Sequence, residues 1–347
     1  MVFLYLAFRN VDFQKLGDVF KQINYWWTIP FVIITMVSMY FRAIRWRWIL
    51  KARYDFTSWR LFPSLIIGFA LNSLLPLRAG EFARPYVLAK KEKIPYSTIL
   101  ATVVVERIID GITLLFSFMI VLLFVTIDPT IEIPSPVGDY IITGELLDKL
   151  SQKFAFMIFV LLIGSITLIF ERTRKLYEEI IKRLPLLGTN LKEKLIGLLE
   201  KFSHGFHSLK NAKYVTIIFI HSLIVWCLVG FSLQVMSWGF PELELNFLHG
   251  MAVMIIICVA ILIPAAPGYW GLYECGGKFA LMALGLVTLD DKGGATALGF
   301  SLVIHALQIL PIVLVGIFFL WRENISLGQV ERLAKANESP PNTEATS

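Results

Sequence analysis

The chain has 347 residues, 56% of them hydrophobic and only 17% charged, with a mean hydropathy of +0.69. A soluble domain carries about 25% charged residues, so a water-soluble enzyme, a disordered chain, a DNA-binding module and a disulfide-rich secreted domain are excluded. An all-α polytopic membrane protein fits, and the net charge of +6 then reads as basic cytoplasmic loops rather than nucleic-acid binding.

Met1–Phe8 is apolar, too short to span, and lacks the basic start of a signal peptide. It reads as the remnant of a truncated first span, or as a surface-lying segment. Trp26–Phe41 is a span, followed by Arg42, Arg45, Arg47, Lys51, Arg53 and Arg60. Basic residues interleaved with Trp46 and Trp48 at a span end fit the ordinary interface belt. Leu61–Leu77 is apolar but short of the roughly 20 residues a span needs, and it holds Pro63, Asn72 and Pro76. Basic residues Arg78, Arg84, Lys90, Lys91 and Lys93 follow. Ser97–Ile127 is a long apolar run broken only by Glu106, Arg107 and Asp110. Asp128–Lys153 carries five carboxylates against two lysines. Phe154–Phe170 is a linking span, and Glu171–Lys213 carries ten Lys and Arg. Tyr214–Met236 is another span, and 237–249 has no Lys or Arg. Gly250–Leu289 is apolar around Pro264, Pro267, Gly268 and Gly271, with Glu274 and Lys278 inside it. A polar turn at 290–292 leads into the last span, Gly293–Trp321.

The positive-inside rule places 42–60, 78–96 and 171–213 in the cytoplasm, and 128–153, 237–249 and 290–292 outside. Leu61–Leu77 then has both flanks inside, and Gly250–Leu289 has both flanks outside. Re-entrant broken hairpins resolve both cases, since such backbone is tolerated where protein or a cavity covers it. The expected architecture is an inverted repeat of span, re-entrant broken hairpin and long span, with a linking span and a cytoplasmic loop between the halves. Residues 1–322 form one integral membrane domain. In the loop 171–213, Leu191, Leu195, Leu198, Leu199 and Phe202 share one helical face, as suits a helix in the headgroup region or a docked one. Residues 323–347 read as a disordered cytoplasmic tail.

Three groups could carry chemistry. Glu106, Arg107 and Asp110 lie within five residues at membrane depth, where each charge costs about 2.5–3.5 kcal/mol. They fit a structural salt-bridge knot, a transport-cavity lining, or both. Asn72, Arg78, Glu81 and Arg84 surround the first break, where helix ends and arginines make an anion site. Pro267, Gly268, Gly271 and Glu274 mark the second, with Lys278 at i+4 as a partner for Glu274. His221, His305 and Gln308 read as satisfied core polar groups. Cys227, Cys258 and Cys275 lie in apolar stretches without metal-ligand spacing, so no disulfide or metal site is expected. There is no P-loop, G-x-S-x-G or H-E-x-x-H motif, so no catalytic residue and no cofactor is assigned.

In this order, Phe41-Arg42-Ala-Ile-Arg45-Trp46, Asn72-Ser-Leu-Leu-Pro76-Leu-Arg78-Ala-Gly80-Glu81-Phe-Ala-Arg84-Pro85, Glu106-Arg107-Ile-Ile-Asp110 and Pro264-Ala-Ala-Pro267-Gly268-Tyr-Trp-Gly271-Leu-Tyr-Glu274 resemble the flippase-like family of the lysylphosphatidylglycerol synthase transmembrane region. The resemblance covers roughly residues 1–322. It implies a stand-alone member of a family whose fused members move aminoacylated phospholipid between leaflets, while a separate cytosolic domain attaches the amino acid. Some stand-alone members are connected with polyprenyl-phosphate sugar chemistry. Departures are the short first span and the pair Tyr269-Trp270, where smaller residues are usual. The expected function is flipping of a phosphate-containing lipid in the cell membrane, with the C-terminus cytoplasmic. Arg78 and Arg84 would engage phosphate, while Glu106, Asp110 and Glu274 line the cavity and Arg107 balances their charge. The expected partners are membrane lipid and a separate synthase or glycosyltransferase. The alternatives are a membrane-embedded enzyme or accessory factor of polyprenyl-phosphate-linked glycan synthesis, and an ion-coupled small-solute transporter.

Overall fold

The computed structural model describes residues 2–9, 11–51, 53–75, 78–134, 141–167, 171–183, 188–189, 192–193, 196–197, 212–263 and 267–323. In chain order the helices are α1 (Val2–Phe8), α2 (Phe13–Gln22), α3 (Thr28–Leu50), α4 (Ser58–Leu74), α5 (Gly80–Glu92), α6 (Tyr96–Phe124), α7 (Gly144–Thr167), α8 (Glu171–Arg183), α9 (Ala212–Ser237), α10 (Phe247–Ala260), α11 (Leu272–Ala283) and α12 (Asp291–Arg322). A small antiparallel ribbon, β1 (Glu132–Pro134) with β2 (Ile141–Thr143), precedes α7. Four helical stretches among the described residues are long and apolar enough to cross a bilayer: Tyr25–Leu50, Tyr96–Phe124, Lys213–Ser237 and Asp291–Arg322.

The molecule is built for lipid on its outside. Leu310, Leu314, Ile317, Phe318 and Trp321 form an exposed apolar stripe on α12 at helical spacing, and Ile29, Ile33 and Val37 do the same on α3. Polar side chains are packed inside instead, Arg45, Arg84, Glu106 and Glu274 among them. Helix starts follow ordinary capping: Asp12 accepts from Gln14 N, Asn246 from His249 N and Asp290 from Gly293 N.

The first broken element is longer than its apolar run suggested, and the second is slightly shorter. The first hairpin is α4 and α5 together, so Arg84, Lys90 and Lys91 lie on its returning arm rather than in a loop. The second is α10 with α11. Arms of 13 and 14 residues reach only about 20 Å at 1.5 Å per residue, short of a hydrocarbon core of about 30 Å. The connections of α4–α5 gather at one end of the molecule, where Arg60 donates to Glu92 and Lys91 to Glu323. Those of α10–α11 gather at the other end, where Lys292 pairs with Glu242 and Lys15 with Asp291.

Helices α3 and α9 run antiparallel. Trp27 meets Trp238 at 5.0 Å at one end, and Trp48 meets Tyr214 at 5.5 Å at the other. Helix α5 packs on α6 and α11 on α12, while α12 packs on α4 and α6 on α10. These contacts exchange for one another when α3–α6 is swapped with α9–α12. Helix α1 lies against α11, with Ala7 buried and Cys275 Sγ donating to the Phe3 carbonyl at 3.4 Å. Leu191, Leu195, Leu198, Leu199 and Phe202, which carried the amphipathic reading of the central loop, and the tail from 324 onward lie outside the described residues.

Candidate functional site: buried ion pairs and a central cavity

Helices α3, α5 and α6 bring one charged side chain after another to a single buried point. Glu106 on α6 is fully buried and takes a two-pronged contact from Arg84 on α5, both N–H···O distances 2.9 Å. Its Oε1 also accepts from Arg107 at 2.7 Å and lies 3.1 Å from Arg45 on α3. Asp110, one turn on, is clasped by Arg45 through both oxygens and lies 3.1 Å from Arg107. Ser222 on α9 accepts from Arg45 at 2.9 Å, tying in the second half. Bidentate forks of this kind are among the strongest hydrogen bonds a protein makes. The Arg84 guanidinium also stacks on the Trp46 ring at 3.7 Å, and Trp46 donates to Thr102 at 2.9 Å. Glu81, partly exposed, stands 3.9 Å from Arg107.

The two hairpin tips meet. Both turn with left-handed backbone, at Arg78 (φ 54°) in one and at Gly268 (φ 68°) and Tyr269 (φ 60°) in the other. Arg78 donates to the Ile261 carbonyl at 3.2 Å and lies over the Tyr269 ring at 5.6 Å. Ile261 caps the C-terminal end of α10, where orphan carbonyls and the helix dipole favour a cation. A sequence reading sees only a tip arginine; the structure makes it a latch between hairpins. Asn72 packs against Gly80 inside the first hairpin, and its Oδ1 has no partner.

Glu274 on α11 does not pair with Lys278, as the i+4 spacing suggested. It contacts His305 Nδ1 on α12 at 2.6 Å, and its other oxygen accepts from Gly271 N at 2.6 Å, closing the start of α11. Lys278 instead approaches the Arg9 carbonyl at 3.4 Å. Tyr273 stacks on His305 at 4.0 Å and donates to Gln308 at 3.0 Å.

Beside the tips lies a cavity of about 220 Å³, walled by α3, α4, α9, α10 and α12. Arg42, Thr35, Ser38, Tyr269, Tyr273, His305 and Gln308 line it among apolar side chains. Glu106, Asp110, Glu274 and Arg84 are not among the lining residues. From the sequence Arg42 reads as an interface residue and His305 and Gln308 as satisfied core groups, while Thr35, Ser38 and Tyr273 give no signal there. Arg42, Arg45 and Trp46 are 6%, 0% and 0% exposed, so they are interior groups and not an interface belt. Extending the Trp26–Phe41 span by nine residues would have placed Arg42 and Arg45 within the bilayer. His305 is a satisfied core histidine that also faces the cavity.

Residues 1–316 match the family described as the lysylphosphatidylglycerol synthase TM region. A UPF0104 membrane protein of Methanocaldococcus jannaschii is 27% identical over 244 residues, 67% of this chain and 64% of that protein. Another, of Pyrococcus horikoshii, is 24% identical over 268 residues, 74% of this chain and 76% of that protein. Glycosyltransferase AglD of Haloferax volcanii is 24% identical over 310 residues, 85% of this chain but 48% of that protein. The chain thus spans less than two thirds of two of these relatives. No solved structure matches it. Its match over nearly the whole length, on a scaffold of spans and broken hairpins, places this membrane protein in the lysylphosphatidylglycerol synthase transmembrane-region family.

Proposed function

We propose that this chain moves a phosphate-containing lipid, a phospholipid or a polyprenyl phosphate, between membrane leaflets. The observation that carries this reading is the meeting of two broken hairpins from opposite ends, latched by Arg78 beside a mostly apolar cavity that Arg42 and the hydroxyls of Thr35 and Ser38 line. Interrupted helices at matching places in two halves are where transporters hold their substrate. The Glu106 and Asp110 knot fixes α5 against α3 and α6, so the tips move on a rigid base. The basic end, with Lys51, Arg60, Lys90 and Lys91, faces the cytoplasm in this reading, which puts the end of α12 there too.

Purified protein in liposomes with a fluorescent phosphatidylglycerol tests this by chemical quenching of the outer leaflet. Wild type is expected to expose the inner-leaflet lipid to the quencher, and Arg78→Ala and Glu106→Gln to slow this about tenfold or more, the scale of losing a charged hydrogen bond. Equal rates for both variants and wild type would reject the reading. The name of the Haloferax relative favours a second reading, a membrane-embedded enzyme or accessory factor acting on polyprenyl-phosphate-linked sugars. Product formation by the purified chain alone would select it.

A further inference from the structure

One buried arginine stands outside the ion pairs. Arg42, Arg45, Arg84 and Arg107 lie around the buried carboxylates Glu106 and Asp110, with Glu81 at the edge, while the third buried carboxylate, Glu274, is taken up by His305 and Gly271 N. Arg45, Arg84 and Arg107 each hold a carboxylate. Arg42 makes no hydrogen bond or ion pair among the described residues, although it is 94% buried, and its Nε has no partner. Its guanidinium rests on the rings of Phe69 and Trp226, each at 5.3 Å, and Asp110 attracts it only from beyond ion-pair distance. Cation–π contacts offset part of the desolvation of a buried cation but leave its N–H donors unused. A charge kept in that condition within a membrane protein marks a place where a ligand brings the counter-charge.

The surroundings specify that ligand. Thr35 and Ser38 lie seven and four residues before Arg42 on α3, on the same stripe, and line the same cavity. The Thr35 hydroxyl is buried and also without a partner. One guanidinium fork with the free Thr35 hydroxyl, and with the Ser38 hydroxyl once it turns from the Thr35 carbonyl it donates to at 2.7 Å, suits a tetrahedral oxyanion, to which arginine binds through two N–H groups. A space of about 220 Å³ equals about seven water volumes. That admits a phosphate and a small headgroup, with acyl chains left in the bilayer.

We propose that Arg42, with Thr35 and Ser38, binds the phosphate group of a phosphate monoester or diester in the central cavity. This deepens the transport reading above and rests on it for the lipid identity, whereas the anion site itself does not. Full-length protein in detergent is titrated with phosphatidylglycerol, with diacylglycerol, and with inorganic phosphate, binding being read by thermophoresis. Phosphatidylglycerol is expected to bind more tightly than diacylglycerol. Arg42→Gln should weaken that binding about tenfold or more, and Arg42→Lys less. Competition by inorganic phosphate would support the site with free phosphate as its ligand; absence of competition would support it with the lipid headgroup. Equal binding of diacylglycerol and phosphatidylglycerol, or unchanged binding by Arg42→Gln, would overturn it.

Melting temperature gives a second readout. Without ligand, Arg42→Gln is expected to melt at or above wild type, because a buried cation with no direct ion pair is removed. A drop as large as that of Arg45→Gln would assign Arg42 to the structural knot and overturn the proposal. Arg42-dependent binding by a wild-type protein that moves no lipid would leave the site standing and remove the transport reading. The reverse pattern would do the opposite.

Discussion

Replacing Glu106 with Ala is expected to destabilise the protein by about 3–5 kcal/mol, the scale for removing one partner of a buried ion pair. Three guanidinium groups, from Arg45, Arg84 and Arg107, converge on this one carboxylate. Without it they face each other with Asp110, and the partly exposed Glu81 beside Arg107, to divide among them. Arg84→Ala should fall at the lower end of the range, since Glu106 keeps Arg107 and Arg45. The pair Arg84→Met with Glu106→Leu should recover part of the loss, because apolar groups of similar size need no counter-charge. Thermal melting in detergent, followed by intrinsic fluorescence, orders the four proteins. An unchanged melting temperature for Glu106→Ala would mean that the knot is not the anchor of α5.

Gly80→Val should prevent the first hairpin from closing. A Cβ at Gly80 would stand 1.9 Å from the Gly68 carbonyl oxygen and 2.6 Å from Asn72 N. Both are backbone atoms of α4, which cannot turn aside as a side chain would. Overpacking ordinarily costs about 1–3 kcal/mol, and this clash lies beyond what repacking relieves. The expected result is loss of the monodisperse peak after extraction. Gly111→Ala on α6 is the control, since nothing lies within 4 Å of its added Cβ. It should extract and melt like wild type or slightly better, because alanine favours a helix by about 1 kcal/mol over glycine. Normal behaviour of Gly80→Val would contradict the close α4–α5 contact.

The spans were legible because apolar length is a direct demand of the bilayer. The last span was expected at Gly293–Trp321 and is Asp291–Arg322. The two breaks were legible as well, since Pro and Gly clusters cannot continue a helix. What misled was charge. Arg84 reads as part of a basic loop because it lies among the basic residues after Leu77, and Arg42 as an interface residue because it ends an apolar run. Only in three dimensions does Arg84 find Glu106, 22 residues away, or Arg45 find Asp110, 65 residues away. Lys278 was nearer to Glu274 along the helix than His305 was in sequence, yet α12 packs on α11 and delivers the imidazole. Residue pairs on one helix can be read from spacing; pairs between helices depend on packing that spacing does not encode. Arg78 shows the same limit, since its acceptor belongs to a hairpin 183 residues further on.

Locking the tips is the most direct test that parting hairpins carry lipid across the membrane. Ser73 at the end of α4 and Tyr269 in the opposite tip line the same cavity. In a protein with Cys227, Cys258 and Cys275 changed to Ala, Ser73→Cys and Tyr269→Cys are joined by a short reducible thiol crosslinker. Leaflet exchange of fluorescent phosphatidylglycerol is then measured in liposomes. The account predicts exchange before crosslinking, arrest after it, and recovery on reduction. Exchange at the same rate with the tips joined would contradict it.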